Sequence, residues 1–313
     1  MGLRKMQEML EEKERRGQGD AGEEEALRLS VGYATAAAEE ISGDTAISSG
    51  LPDGSLALIL SDGMGKGIRA AAESRAVARR LRKNLKSGMR PAFAIKEVNR
   101  YMLSCEEAQT KCAYMRNCRL KAWEGGQKCR PETQECEKKP EALQQARSAR
   151  CSSAAAGEAE CFATVDLLII DRNAAKAKFY KMGAASSFLL RNGKVKRFEQ
   201  AALPIGIIPE VQLNHIALRL KAGDIVVMVS DGITEAARVC KNDCVSENDC
   251  ADESDYVDES DGAWLHELLG SRTAAELAHL SARQLAGEIL DEAILRYADR
   301  ERDDLTVAVV KIL

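Results

Sequence analysis

Two stretches of the chain end an apolar run in the same three residues. Leu56–Gly67 reads LALILSDGMGKG, and Ile225–Gly232 reads IVVMVSDG. In each a serine closes the run, a carboxylate follows (Asp62 or Asp231), and a glycine comes next. An apolar run of this length stopped by a turn residue predicts a buried strand. A carboxylate at its tip lies where loops meet a rigid sheet, a frequent place for chemistry. Two further acidic positions share the context. Asp44 follows Ser42-Gly43 ahead of a short strand-like segment, and Asp303-Asp304 precede the apolar run Leu305–Leu313.

Carboxylates brought together unpaired raise one another's pKa, so such a cluster is costly. Divalent cations remove that cost, and oxygen-only ligands favour Mg²⁺ or Mn²⁺ over zinc. The chain has three histidines, none beside these motifs, which argues against a histidine-rich metal site. Gly63 also lets a backbone carbonyl approach a cation. Two ions about 3.5–4 Å apart can clamp a phosphoryl group and turn water into hydroxide at neutral pH.

The elements that must carry these acids are legible in outline. With 313 residues the chain has room for one large domain or two smaller ones. Its 45% apolar content supports a real core, and 4% aromatic content makes that core mainly aliphatic. A net charge of −4 implies no general polyanion-binding surface, so no nucleic-acid partner is expected. No run of about 18 apolar residues exists, so no membrane insertion by this segment is expected. The N-terminus is charged throughout and lacks the apolar core of a signal peptide. Ten cysteines in such a chain read as thiols or metal ligands rather than disulfides, and the expected location is cytoplasmic.

Residues 1–28 place Leu3, Met6, Met9 and Leu10 at helical spacing before Gly17-Gln18-Gly19-Asp20 interrupts them. This predicts a helix and linker, a candidate surface for a partner or a homodimer contact, and such a start is compatible with the chain being one piece of a longer protein. Strands are expected over Leu29–Ala38 and Thr45–Ser48, with Leu51-Pro52-Asp53-Gly54 turning into Leu56–Leu60. Lys66–Ser87 reads as a helix carrying eight Lys or Arg against the single Glu73, mostly a solvated face. A second helix is expected over Pro91–Leu103. Strand-like sequence resumes at Phe162–Asp171, Ala177–Met182, Phe188–Leu190 and Val195–Phe198, the last pair joined by Asn192-Gly193. His215–Leu220 and Ile225–Val229 follow, then helices over Trp264–Leu269 and Thr273–Tyr297 and the terminal strand. Strands that come mostly as hairpins predict a largely antiparallel sheet.

The segments EEISGD (39–44), LSDGMGKG (60–67), GAASSFL (183–189), LPIGI (203–207), VSDGITEA (229–236) and DDLTVAVV (303–310) together resemble the metal-dependent serine/threonine phosphatases of type 2C. More narrowly they are similar to the phosphatase domain of the stage II sporulation protein E family of bacterial partner-switching. The resemblance covers about 29–99, 162–236 and 264–313, in order. It implies an α+β fold of two packed, mostly antiparallel sheets flanked by helices, within a phosphatase domain spanning 29–313. It implies that Asp62 bridges two Mn²⁺ or Mg²⁺ ions, with Asp44, the Gly63 carbonyl and Asp231 in the metal set and either Asp303 or its neighbour Asp304 as the terminal ligand. Asp44 matches the acidic position that acts on water at the metals. The implied reaction is direct, in-line hydrolysis of a phosphoserine protein substrate of the anti-anti-sigma type, with no phosphoenzyme. Longer relatives carry a membrane-spanning portion ahead of this region, so any tether would come from outside this segment.

Two tracts depart from that pattern. About 104–161 and 238–262 lose apolar periodicity and hold seven and three of the ten cysteines. Their spacings, such as Cys112-x₅-Cys118 and Cys240-x₃-Cys244, are not the tight pairs of a zinc ribbon. They are expected as irregular inserts, solvent loops or a metal- or redox-responsive element. Rival readings are weaker. Gly65-Lys66-Gly67-Ile68-Arg69-Ala70 fits a dinucleotide fingerprint, but no strand and acid follow about 20 residues on. A haloacid-dehalogenase-type phosphatase needs an aspartate two residues before Asp62, where Leu60 stands. The alternative of another class is a catalytically weak, phosphatase-like binding scaffold with a cysteine-rich sensing insert.

Overall fold

A computed structural model describes residues 26–105, 161–237, 262–297 and 302–313. The expected N-terminal helix and nearly all of the two cysteine-bearing tracts lie outside the described residues. The strands are β1 (Leu29–Ala36), β2 (Asp44–Gly50), β3 (Leu56–Asp62), β4 (Val165–Asp171), β5 (Lys176–Met182), β6 (Ser187–Arg191), β7 (Lys194–Phe198), β8 (Ile216–Arg219), β9 (Ile225–Val229) and β10 (Leu305–Ile312). They form two five-stranded sheets, ordered β1-β10-β9-β6-β7 and β2-β3-β4-β5-β8. Every pairing between these strands is antiparallel.

The helices are α1 (Gly67–Lys86), α2 (91–105), α3 (Asp231–Thr234), α4 (Ala263–Ser271), α5 (Ala274–His279) and α6 (Ala282–Tyr297). Side chains alternate faces along a strand, and here both faces find a partner. Leu58 and Leu60 of β3 meet Val226, Met228, Ala308 and Val310 of the opposite sheet. Ala57 and Ile59 turn outward onto Val77, Leu81, Ile95 and Val98 of α1 and α2. On the other side Val307 and Val309 pack against Leu285, Ala286 and Ile289 of α6. A sheet covered on both faces needs apolar residues at successive positions. That requirement explains why LALIL and IVVMV read as continuous apolar runs although the sheets are antiparallel.

Turn chemistry holds the hairpins in register. The Leu51 N–H donates to the Ser55 carbonyl at 2.8 Å, and Asp53 Oδ1 accepts the Ser55 N–H at 3.0 Å. Asn192 and Gly193 both have positive φ, 52° and 71°, as a two-residue turn between twisted strands requires.

One element differs from its expectation. The helix expected over Thr273–Tyr297 is two helices broken at Leu280-Ser281. Ser281 and Gln284 bond reciprocally, side chain to backbone N–H, and Thr273 and Glu276 do the same one helix earlier. Two capping boxes in succession start two helices. No helix among the described residues is long and apolar enough to cross a membrane.

Candidate active site

The two Ser-Asp-Gly segments are built alike. In the first, the Ser61 hydroxyl donates to the Thr164 carbonyl at 2.8 Å, and the Asp62 N–H donates to Thr164 Oγ1 at 3.0 Å. In the second, the Ser230 hydroxyl accepts the Thr306 N–H at 2.9 Å. Each serine thus ties its strand to a neighbour and leaves the next side chain at the sheet end. The glycines answer a steric demand. A Cβ on Gly63 would stand 2.0 Å from the Ala70 carbonyl oxygen, and one on Gly232 would stand 2.4 Å from that of Asp304. Beyond Asp62, Gly63 bridges to Ala163, which in turn bridges to Ile205. The loop at 204–209 is pinned there by Asn99, whose Oδ1 accepts the Gly206 N–H at 2.8 Å and whose Nδ2 donates to the Ile208 carbonyl.

Asp44 and Asp62 are register partners at the end of the β2–β3 ladder. Asp231 opens α3 directly after β9, and Asp303 precedes β10 on the adjacent strand. The structure therefore brings Asp44, Asp62, Asp231 and Asp303 to one end of the space between the sheets, close enough to shift one another electrostatically. Burial is graded across the group. Asp44 is buried, Asp62 and Asp303 are half-buried, and Asp231 is exposed.

Burial is also the main cause of the unusual acidity. The Asp44 carboxyl is pushed up to about 7 by desolvation, with the Asp231 charge adding and the Ser230 and Thr306 hydroxyls opposing. The Asp62 carboxyl is pushed up to about 9, by desolvation first and then by the charges of Asp44, Asp231 and Asp303. The two acids titrate as a pair. Although Ser230, Thr306 and Asp62 lie close to Asp44, neither of its buried oxygens has an aligned hydrogen-bond partner. Buried polar atoms left in that state are rare and call for a ligand, an ion or a water.

An oxygen-only donor set with an orphaned buried carboxylate fits a hard divalent cation. Among the described residues no group of three or more acidic, histidine or cysteine side chains is drawn together closely enough to hold an ion as placed. Asp231 Oδ1 is held by the Gly232 N–H and Asp303 Oδ1 by the Asp304 N–H, both at 2.8 Å. Each of these two acids thus has one oxygen engaged locally.

Asp304 stands apart from the other acids. It is 2% exposed, and its Oδ1 and Oδ2 accept the backbone N–H groups of Ala38 and Gly43 at 2.8 and 2.7 Å. Both of its oxygens hold the 38–43 loop, and that loop sets where Asp44 begins β2. The side chains of Thr164, Asp166 and Lys181 were not singled out in the sequence. Asp166 and Lys181 lie on β4 and β5 and Thr164 directly precedes β4, and an acid within the apolar run VDLLIID was the signal available.

The family model described as Stage II sporulation protein E matches residues 52–126 and 130–313. Stage II sporulation protein E of Bacillus subtilis (strain 168) is 28% identical over 293 residues, 93% of this chain and 26% of the relative. The chain thus spans about a quarter of that relative's length. A solved structure of the PP2C phosphatase domain and a fragment of the regulatory domain of SpoIIE from Bacillus subtilis superposes with a TM-score of 0.61. It is 28% identical and covers 92% of this chain and 64% of that one. RsbX in complex with magnesium shares the fold at 13% identity and a TM-score of 0.50, over 93% of this chain and 98% of that one. With a family match across most of its length, the fold of two packed sheets and acids at the sheet ends, the chain belongs to the stage II sporulation protein E family as a PP2C-type serine/threonine phosphatase domain.

Proposed function

We propose that residues 29–313 hydrolyse phosphoserine on a small regulatory protein of the anti-anti-sigma type, with two Mn²⁺ or Mg²⁺ ions held by Asp44, Asp62, the Gly63 carbonyl, Asp231 and Asp303. The observation that carries the reading is the Asp44–Asp62 register pair, two carboxylates opposed at a sheet end with Asp231 and Asp303 beside them. When bound, such ions neutralise charge on the phosphoryl oxygens and acidify water as the nucleophile. Asp62, on which the charges of Asp44, Asp231 and Asp303 all act, would be the shared ligand of the ions. Asp231 and Asp303, carried by strands of the opposite sheet, would complete the set. Asp44, a buried carboxylate whose oxygens have no aligned hydrogen-bond partner, is placed to accept the proton of the attacking water. The phosphorus–oxygen bond to serine breaks as the water oxygen bonds in line to phosphorus, and the leaving serine oxygen takes up a proton from solvent, giving phosphate and the serine hydroxyl. Asp304 supports the site through the 38–43 loop. RsbX, which shares the fold, binds magnesium, and this supports the metal assignment by analogy.

The test is hydrolysis of a phosphoserine anti-anti-sigma protein with and without Mn²⁺, comparing the chain with Asp62→Asn. The expected result is release of phosphate that requires Mn²⁺ and is lost in the variant. Equal, metal-independent rates in both proteins would sink the reading and favour the binding scaffold.

A further inference from the structure

One layer beneath the acids, the interior between the sheets holds a second set of polar groups. Asp166 on β4 and Lys181 on β5 are direct cross-strand partners. Ser187 reaches them from β6 of the other sheet. They are 1%, 0% and 0% exposed. Lys181 Nζ donates to Asp166 Oδ2 and, at 2.8 Å, to Ser187 Oγ; the Ser187 hydroxyl donates to the same Asp166 oxygen at 2.6 Å. Asp166 Oδ1 is buried and has no partner.

A buried ion pair alone says little beyond folding, because an apolar pair of similar volume often serves as well. Position and the unpaired oxygen set this one apart. Asp166 is the register partner of Leu60, two residues before Asp62, and Ser187 that of Met228, three before Asp231. Asp166 shares the walls of one small cavity with Asp62, Thr164, Ser230 and Asp231. Its volume, about 10 Å³, matches a single water. A buried acceptor without a protein partner, on a residue that lines such a space together with other polar side chains, is the setting of a structural water.

We propose that Asp166, fixed by Lys181 and Ser187, is a positioning residue of the metal site. Its Oδ1 anchors one buried water that bonds onward to the Asp62 and Asp231 carboxylates and fixes how they face the ions. The Lys181 ammonium offsets the extra negative charge, so Asp166 does not join the like-charge repulsion above it. The inference rests on the metal-site reading given above. Groups that hold the far side of a metal ligand typically cost about 10–100-fold in metal affinity when removed.

The experiment is calorimetric titration with Mn²⁺, without substrate, of the wild-type chain, Asp62→Asn and the double variant Asp166→Asn/Lys181→Met. Circular dichroism establishes that each is folded. Asp62→Asn is expected to lose Mn²⁺ binding, and the folded double variant to bind about 10-fold more weakly or worse. A folded double variant binding within about twofold of wild type overturns this inference and leaves the metal site standing. Undiminished binding by Asp62→Asn overturns the metal site itself. Should the double variant not fold, a crystal structure of the wild-type chain with Mn²⁺ decides. An ordered water bonded to Asp166 Oδ1 supports the role, and a dry cavity or a direct Asp166–ion contact overturns it.

Discussion

Asp44 and Asp62 face each other as the last register pair of the β2–β3 ladder, two carboxylates where a sheet normally places complementary side chains. Like charges directly opposed across strands destabilise a sheet. Burial makes the arrangement costlier, and only a group bound between them makes it useful. Stability and activity should therefore respond in opposite directions at this pair.

The first prediction follows from that conflict. In a chelator at pH 8, Asp62→Asn should unfold a few degrees above wild type, because folding no longer has to bury and protonate a carboxylate that is ionised in the unfolded chain. In saturating Mn²⁺ the order should reverse, and hydrolysis by the variant should fall by at least about 10²-fold. Thermal melts under the two conditions, with phosphate release, check both statements. Asp231→Asn should show the same loss of activity.

The pH dependence has a definite sign. Both carboxyls are raised in the folded chain, to about 7 and about 9, from an unfolded value of 3.8. Between those limits the folded state binds more protons than the unfolded one, so stability falls as pH rises. As far as this pair contributes, the metal-free protein should thus be most stable below about pH 3.8 and lose that contribution progressively up to about pH 9. Mn²⁺ should remove the decline, bind more tightly as pH rises, and release protons on binding. A melting series across pH with and without the ion, plus calorimetry in buffers of different ionisation enthalpy, would show it.

The glycine after each acid should resist substitution. Gly63→Ala would press a methyl onto the Ala70 backbone, and Gly232→Ala one onto the Asp304 backbone. Overpacking of this kind costs about 1–3 kcal/mol, and backbone neighbours cannot rotate away. Gly54→Ala, where a Cβ meets open space but φ is +82°, should cost about 1 kcal/mol from strain alone. Chemical denaturation of the three variants gives the ranking.

Neighbouring acids should divide by role. Asp304→Ala leaves the Gly43 and Ala38 N–H groups without their acceptor, at about 1–3 kcal/mol for each one that stays buried. It should lower the melting temperature with or without metal. Asp303→Ala should leave the metal-free melting temperature within a few degrees and weaken Mn²⁺ binding by at least about 10-fold. Equal effects of the two on both readouts would refute the division.

Local signals carried much of the fold. The Pro-Asp-Gly and Asn-Gly turns, the basic outer face of α1 and the runs LALIL and IVVMV each follow from short-range chemistry that a sequence displays. The doubled Ser-Asp-Gly was legible for the same reason, since its serine, acid and glycine act within a strand end and its immediate neighbours. Even the break at Ser281 had a signature in Ser281 and Gln284, which the apolar periodicity through 273–297 concealed.

Other features exist only once strands from distant parts of the chain are paired. Asp62 ends a strand of one sheet and Asp231 follows a strand of the other, and their convergence depends on how those sheets pack. Asp303 and Asp304 look alike in sequence, and only the approach of the 38–43 loop gives Asp304 two backbone N–H groups to hold. Asp166 and Lys181 read as interruptions of apolar strands until the β4–β5 register sets them opposite each other, with Ser187 arriving from the other sheet. Propensity and turn chemistry act over a few residues and are written locally. Charge pairing and desolvation depend on distance in space, which only the tertiary structure decided.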